Sequence, residues 1–151
     1  MTTFATLADL LEVDPSIQDY GVLDFEAELS KAQDDVVRLL KVRWWPMYSS
    51  RARTLDIAIV GAGPILDETK LDSTQWTKAT VFKALADHIG PKLSKFEEVP
   101  DRFRNQMDYY AQRFEVEFDL CVREGVRYQI DNDPAFNEAE SASDTTLRLR
   151  R

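Results

Sequence analysis

The sequence predicts a mainly α-helical protein, a small bundle with two or three long antiparallel helices, a short β or loop insertion in the middle and an extended C-terminal tail. Three observations predict it. Apolar residues recur with helical spacing over three long stretches, Pro and Gly mark the breaks between those stretches, and the character of the chain changes after Gly125. At 151 residues the chain is one ordinary domain in size, large enough to bury a core without disulfides or metal. Its 44% hydrophobic, 11% aromatic and 30% charged residues are those of a globular protein.

The first helix is short. Thr6 caps it, Asp9 completes a capping box three residues on, and Leu7, Leu10 and Leu11 form its apolar face. Asp14-Pro15 and Gly21 then break the chain. The first long helix runs from about Asp24 to Trp45. Phe25, Leu29, Ala32, Val36, Leu39, Leu40 and Trp44 make its stripe, Glu28, Lys31, Asp34 and Asp35 fill the other side, and Pro46 is expected to end it.

The segment "SSRARTLDIAIVGAGPILDETKLD" follows, with room for one short strand in "LDIAIV". The second long helix starts at Asp72 or Ser73 and is expected to stop at Gly90-Pro91, with Trp76, Ala79, Phe82, Leu85 and Ile89 as its stripe. The third begins near Pro100 and continues to Gly125. Phe103, Met107, Tyr110, Phe114 and Cys121 share a face that Phe118 and Val122 widen. Beyond it, "VRYQID" has the look of a short extended piece, "NDPAFNEAESASD" is acidic and turn-rich, and "TTLRLRR" alternates as an edge strand does. The chain thus divides into a helical body at 1–130 and an extended, partner-docking tail at 131–151, which carries too little apolar surface to fold alone.

Several chemistries are weak from the start. "VGAGPILDE" imitates a dinucleotide-binding turn, but Leu66 stands where the third glycine of the fingerprint belongs and no parallel sheet surrounds it, so Gly61 and Gly63 read as a loop and no cofactor is expected. His88 is the single histidine and reads as a helix C-terminal residue that complements the dipole. Cys121, the single cysteine, reads as a small buried hydrophobe. "DNDPAFNEAE" begins like a calcium loop but has Ala142 where a bidentate Glu is needed, so no metal is expected. The net charge of -8 disfavours general nucleic-acid binding. With no apolar leader or membrane-length run, the expectation is a protein made in the cytoplasm.

One stretch stands apart. "RLLKVRWWPMYSSRAR" holds Arg38, Lys41, Arg43, Arg51 and Arg53 without an acid and interleaves Trp44, Trp45 and Tyr48. Aromatics among basic residues suit a core with a partner interface, a plain core beside a solvated face, or a nucleic-acid surface, in that order of preference.

The segments "TQWTKATVFKALADHIGPKLSKF" and "DRFRNQMDYYAQRFEVEFDLCVREGVRYQID", preceded by a short helix and a long helix ending in aromatics, resemble the head–tail connector, or adaptor, proteins of tailed bacteriophages. The arginine-rich end "LRLRR" is similar to many small phage neck proteins. The resemblance spans most of the chain through patterns of residue class, and "RTLDIAIVGAGPILDETKLDS" has no counterpart in it. It implies a structural virion protein without catalysis that joins the twelve-fold portal ring and forms the next ring of the neck between capsid and tail, assembled in the host cytoplasm. Its partners would be the portal, neighbouring copies of itself and a downstream neck or tail protein, with genome DNA only passing through the channel. Trp44, Trp45 and Tyr48, and in the tail Leu147, Arg148, Leu149, Arg150 and Arg151, are the expected partner-binding residues, the tail by adding a strand to a partner's edge. The free chain is expected to be a monomer. The rival readings are a head-closure or tail-completion protein, or a small cytoplasmic helical enzyme or regulator.

Overall fold

A computed structural model describes residues 3–22, 24–54, 65–94 and 102–129. Among them the protein is a mainly α-helical bundle. Helix α1, Leu7–Val13, opens it. The Asp9 carboxylate accepts from the Thr6 N–H at 2.8 Å and from the Thr6 hydroxyl at 2.7 Å, the pairing expected of the capping box. A 3-10 turn, Ile17–Tyr20, ends at Gly21, whose φ of 85° is one that L side chains rarely adopt.

Helix α2 is Glu26–Arg43, and its predicted stripe is inside. Phe25, Leu29, Ala32, Val36, Leu40 and Trp44 are buried, with Val37 beside them and Leu39 at the margin. One residue assigned to the wet side is not there. Glu28 is buried, and its carboxylate pairs with the Lys92 ammonium from the far end of the chain's middle. A lone buried carboxylate is costly, so this position depends on its partner.

Pro46 does not end helical structure. The Trp44 N–H still donates to the Leu40 carbonyl, the Trp44 carbonyl accepts from Tyr48, and α3, Trp45–Thr54, starts at once. Proline lacks a donor, but a residue in the first turn of a helix has no acceptor to serve, so the break becomes a new start. The first residues of the expected insertion, through Thr54, are therefore helical. The possible strand in "LDIAIV" and the Gly61 to Gly63 loop lie outside the described residues.

Helix α4, Ser73–Lys83, is capped by Asp72, whose carboxylate accepts from the Thr74 N–H at 3.0 Å and the Thr74 hydroxyl at 2.7 Å. Burial pushes the Asp72 carboxyl up, but these bonds and the Arg127 guanidinium at 3.0 Å hold it below the usual range. The chain then widens into a π-helical segment, Ala84–Ile89, and continues as α5, Gly90–Leu93. The expected stop at Gly90-Pro91 is thus overrun. In an α-helix Pro91 would have no proton for the Asp87 carbonyl, and its ring would collide with it. The wider turn, in which Gly90 N–H reaches back to the Leu85 carbonyl, relieves that collision and lets the helix run on until Ser94 closes it on Gly90. His88 is consequently mid-helix, not terminal, and its Nε2 lies 2.9 Å from Asp35 Oδ2 on α2.

Helix α6, Arg102–Glu124, buries Phe114, Phe118 and Cys121 and packs on α4, the π segment and α5. Tyr110, Phe103 and Met107 are half-buried along the same face. Gly125, with φ 107°, turns the chain back. The extended piece expected in "VRYQID" pairs antiparallel with the approach to α4. Tyr128 bridges Leu71, Gln129 N–H donates to the Lys70 carbonyl at 2.8 Å and Asp72 N–H to the Arg127 carbonyl at 3.1 Å. Gln75 locks the junction, giving its Nε2 to the Gly125 carbonyl and taking the Arg127 N–H on Oε1. The expected tail, 131–151, lies outside the described residues.

A Cβ on Gly90 would lie 2.3 Å from Met107 Cγ and 2.7 Å from the Leu85 carbonyl oxygen. Gly90→Ala should therefore lower stability by about 1–3 kcal/mol in urea unfolding despite alanine's better helix propensity. The Lys92 ammonium holds the Glu28 carboxyl below its ordinary 4.5, against the effect of burial. A depressed folded pKa stabilises above the unfolded value and is lost as pH falls through the folded one. Melting of the wild type should thus weaken below about pH 4.5, and Glu28→Gln should cost about 1–2 kcal/mol at pH 7 while flattening that acid limb.

Candidate partner-binding surfaces

The aromatic and basic stretch at the α2–α3 junction folds inward. Trp44 and Trp45 are only 8% and 5% exposed. Trp44 stacks on Tyr48 at 4.6 Å between ring centroids, and both indoles meet Tyr128, Trp45 at 5.3 Å and Trp44 at 5.9 Å. Tyr128 is itself 1% exposed, and the Asp67 N–H donates to its hydroxyl at 3.4 Å. Burial pushes the Tyr128 phenol above its ordinary value. The three aromatics of "WWPMY", at the start of α3, meet the segment returning after α6, which its pairing at Leu71 holds so that Tyr128 lies among them.

Both tryptophans therefore serve the core, and their faces are taken up by other rings. Tyr48 is half-buried at the edge of the cluster. The basic residues diverge. Arg43 pairs with Glu115 of α6 at 2.9 Å and lies over the Phe118 ring, while Arg38 and Lys41 are exposed. Val42 and Met47, 71% and 43% exposed, leave some apolar surface beside the junction. Of the residues singled out in the tail, Leu147, Arg148, Leu149, Arg150 and Arg151 lie outside the described residues.

Cys121 is buried, its Sγ is 3.3 Å from the Gln75 carbonyl, and burial raises its thiol to about 11. A thiol so placed is protonated at neutral pH and is a poor nucleophile. Among the described residues no group of three or more His, Cys, Asp or Glu side chains is arranged to hold a metal, and no helix is long and apolar enough to cross a membrane.

A second surface went unnoticed in the sequence. Tyr109, Val116 and Leu120 of α6 are 56%, 53% and 46% exposed. At one hundred degrees per residue they share one line on the side of the helix away from Phe114 and Phe118. The exposed Arg113 falls between them, so 109, 113, 116 and 120 step by four, three and four, but its guanidinium lies over the Phe82 ring of α4, 5.6 Å from the centroid. That is the spacing of a helix–helix seam. The signal was present, but the stronger stripe on the inward face of the same helix hid it.

The fold and its surfaces define a class, a small helical bundle whose longest helix lays an apolar face into the core and leaves Tyr109, Val116 and Leu120 exposed on its outer side. Compared with protein-family models, curated proteins and solved structures, the chain matches none.

The aromatic cluster predicts its own energetics. Tyr128→Ala should cost about 3–5 kcal/mol and shift tryptophan emission to the red, whereas Tyr128→Phe, which keeps the ring and loses one long hydrogen bond, should cost under about 1 kcal/mol in the same titration.

Proposed function

We propose that this chain is a structural virion protein, a head–tail connector that binds a portal ring and forms the next ring of a phage neck. The observation that supports it best is that the segments carrying the resemblance, α4 with its continuation to Leu93 and α6 through Tyr128, are the two that pack most extensively on one another. The resemblance therefore covers one structural unit and not two scattered matches. A mainly helical body also favours a connector over a head-closure or tail-completion protein, which would be richer in strands.

In this reading the helical body faces the portal and neighbouring copies, and the tail ending in Leu147 to Arg151 docks on the next neck component by strand addition. Weak contacts at each copy are multiplied around a ring. The net charge of -8 would limit adhesion of passing DNA over a screening length of about 8–10 Å.

Native mass spectrometry tests it. Full-length chain mixed with its candidate portal ring should add saturably, about one copy per portal subunit, as ring symmetry requires. A chain ending at Asp131 should add equally well if the tail serves the downstream component. Absence of binding by either form would reject the connector reading.

A further inference from the structure

We infer that the end of the chain, residues 147–151, docks on the outer side of α6 of its own copy, over Val116 and Leu120, and stays there until a partner draws it away. The inference concerns the free chain and does not rest on the connector reading.

The charges around those two residues select the occupant. Between Glu115 and Glu124 the helix carries four acids and one cation, Arg123. Glu115 is taken by Arg43 at 2.9 Å, whereas Glu117, Asp119 and Glu124 make no ion pair among the described residues. At one hundred degrees per residue Glu117 and Glu124 fall on one side of the line through Val116 and Leu120, and Asp119 falls on the other with Arg123 a turn beyond it. A second copy of this face would set acid against acid. The sequence Leu147-Arg148-Leu149-Arg150-Arg151 is the complement, two apolar side chains interleaved with three cations.

The spacings agree as well. In an extended segment Leu147 and Leu149 share one side about 6.6 Å apart, and Val116 and Leu120 are separated by about 6 Å along the helix. With the segment running in the direction of α6, Leu147 covers Val116 and Leu149 covers Leu120. Arg148 then stands level with Glu117 and Asp119, and Arg150 and Arg151 approach Glu124. The reverse direction would carry Arg150 toward Arg113, whose guanidinium lies over the Phe82 ring, and cation would meet cation.

The chain can deliver this segment. Gln129 is bonded to the Lys70 carbonyl, and Gln75 takes both the Arg127 N–H and the Cys121 thiol, so residues 130–151 depart from the end of the bundle where Leu120 and Glu124 lie. Residues 130–146 can span up to roughly 55 Å, against roughly 12 Å from Val116 to Glu124. The five acids of 131–144 are repelled by the same face, which confines the contact to the basic end. Tethering supplies an effective concentration on the order of millimolar, so a contact too weak to hold a free peptide can hold the tail. While it does, residues 147–151 and the apolar line of α6 are both withdrawn from other partners.

The test uses the full chain carrying a nitroxide on Thr146→Cys, burial shielding Cys121 from the label. Amide signals of residues 116–124 should lose intensity relative to the reduced label, and the loss should be unchanged by roughly tenfold dilution, as an intramolecular contact requires. Raising the salt from about 0.1 to 1 M, which shortens the screening length from about 10 to 3 Å, should weaken it. Glu117→Arg with Glu124→Arg should abolish it, and adding Arg148→Glu with Arg150→Glu to that chain should restore it. Intact signals at 116–124 would overturn the inference, as would charge reversals that fail to compensate. A loss that fades on dilution would overturn it in favour of tail exchange between copies, and a loss centred on Arg38 to Met47 would place the tail on the α2–α3 rim instead.

Discussion

Everything else in the fold rests on burial of the helix that begins at Ser73 on two sides at once. Trp76, Ala79 and Phe82 belong to one core cluster, with Trp44, Phe114 and Phe118, while Val81, Ala84, Leu85 and Ile89 belong to the other, with Leu10, Phe25 and Leu29. A helix whose apolar residues fall on two faces must be covered from two directions, with Lys78 and Asp87 left on its wet side. Here α2 and α6 cover it along its length, and α1 adds Leu10 to the cluster that holds Val81, Ala84 and Leu85. Alanines at 79, 84 and 86 let those neighbours approach closely. The two clusters are therefore stabilised by one shared element, and damage at its centre is felt by both.

That position explains the irregular stretch from Ala84 to Leu93. Ending the helix at Gly90 would have left Ile89 and the glycine's close approach to Met107 without a rigid support. The wider π turn lets the backbone pass Pro91 and delivers Lys92 to the buried carboxylate of Glu28. With His88 beside Asp35, this gives two polar ties from α2 to one short segment. Half-buried ion pairs of this kind contribute little net energy, but removing one partner strands the other, so they define alignment more than they add stability.

The junction at Trp44 works by a related economy. One residue closes α2 and opens α3, and Trp44, Trp45 and Tyr48 gather there around Tyr128. The rings thus bind the middle of the chain to the segment after α6. What stays exposed and apolar is the rim of that junction and the outward side of α6, surfaces of modest area.

Helical periodicity made much of this legible in the sequence alone. The inward stripes of α2, α4 and α6, the capping box of α1 and the Asp72 cap all follow from local spacing and local hydrogen bonds, and local interactions are what neighbouring residues can dictate. Only tertiary structure decided the fate of Pro46 and Gly90-Pro91, because a break signal states what a regular α-helix cannot do and not whether packing will favour a restart or a wider turn. The same holds for Glu28, whose charge predicts solvent until Lys92 arrives from elsewhere in the chain, and for Tyr128, which no period marks as core. Trp44 and Trp45 were recognisable as anchors, but whether an indole faces a partner or its own interior depends on which surface comes to meet it, and that surface lies more than eighty residues away.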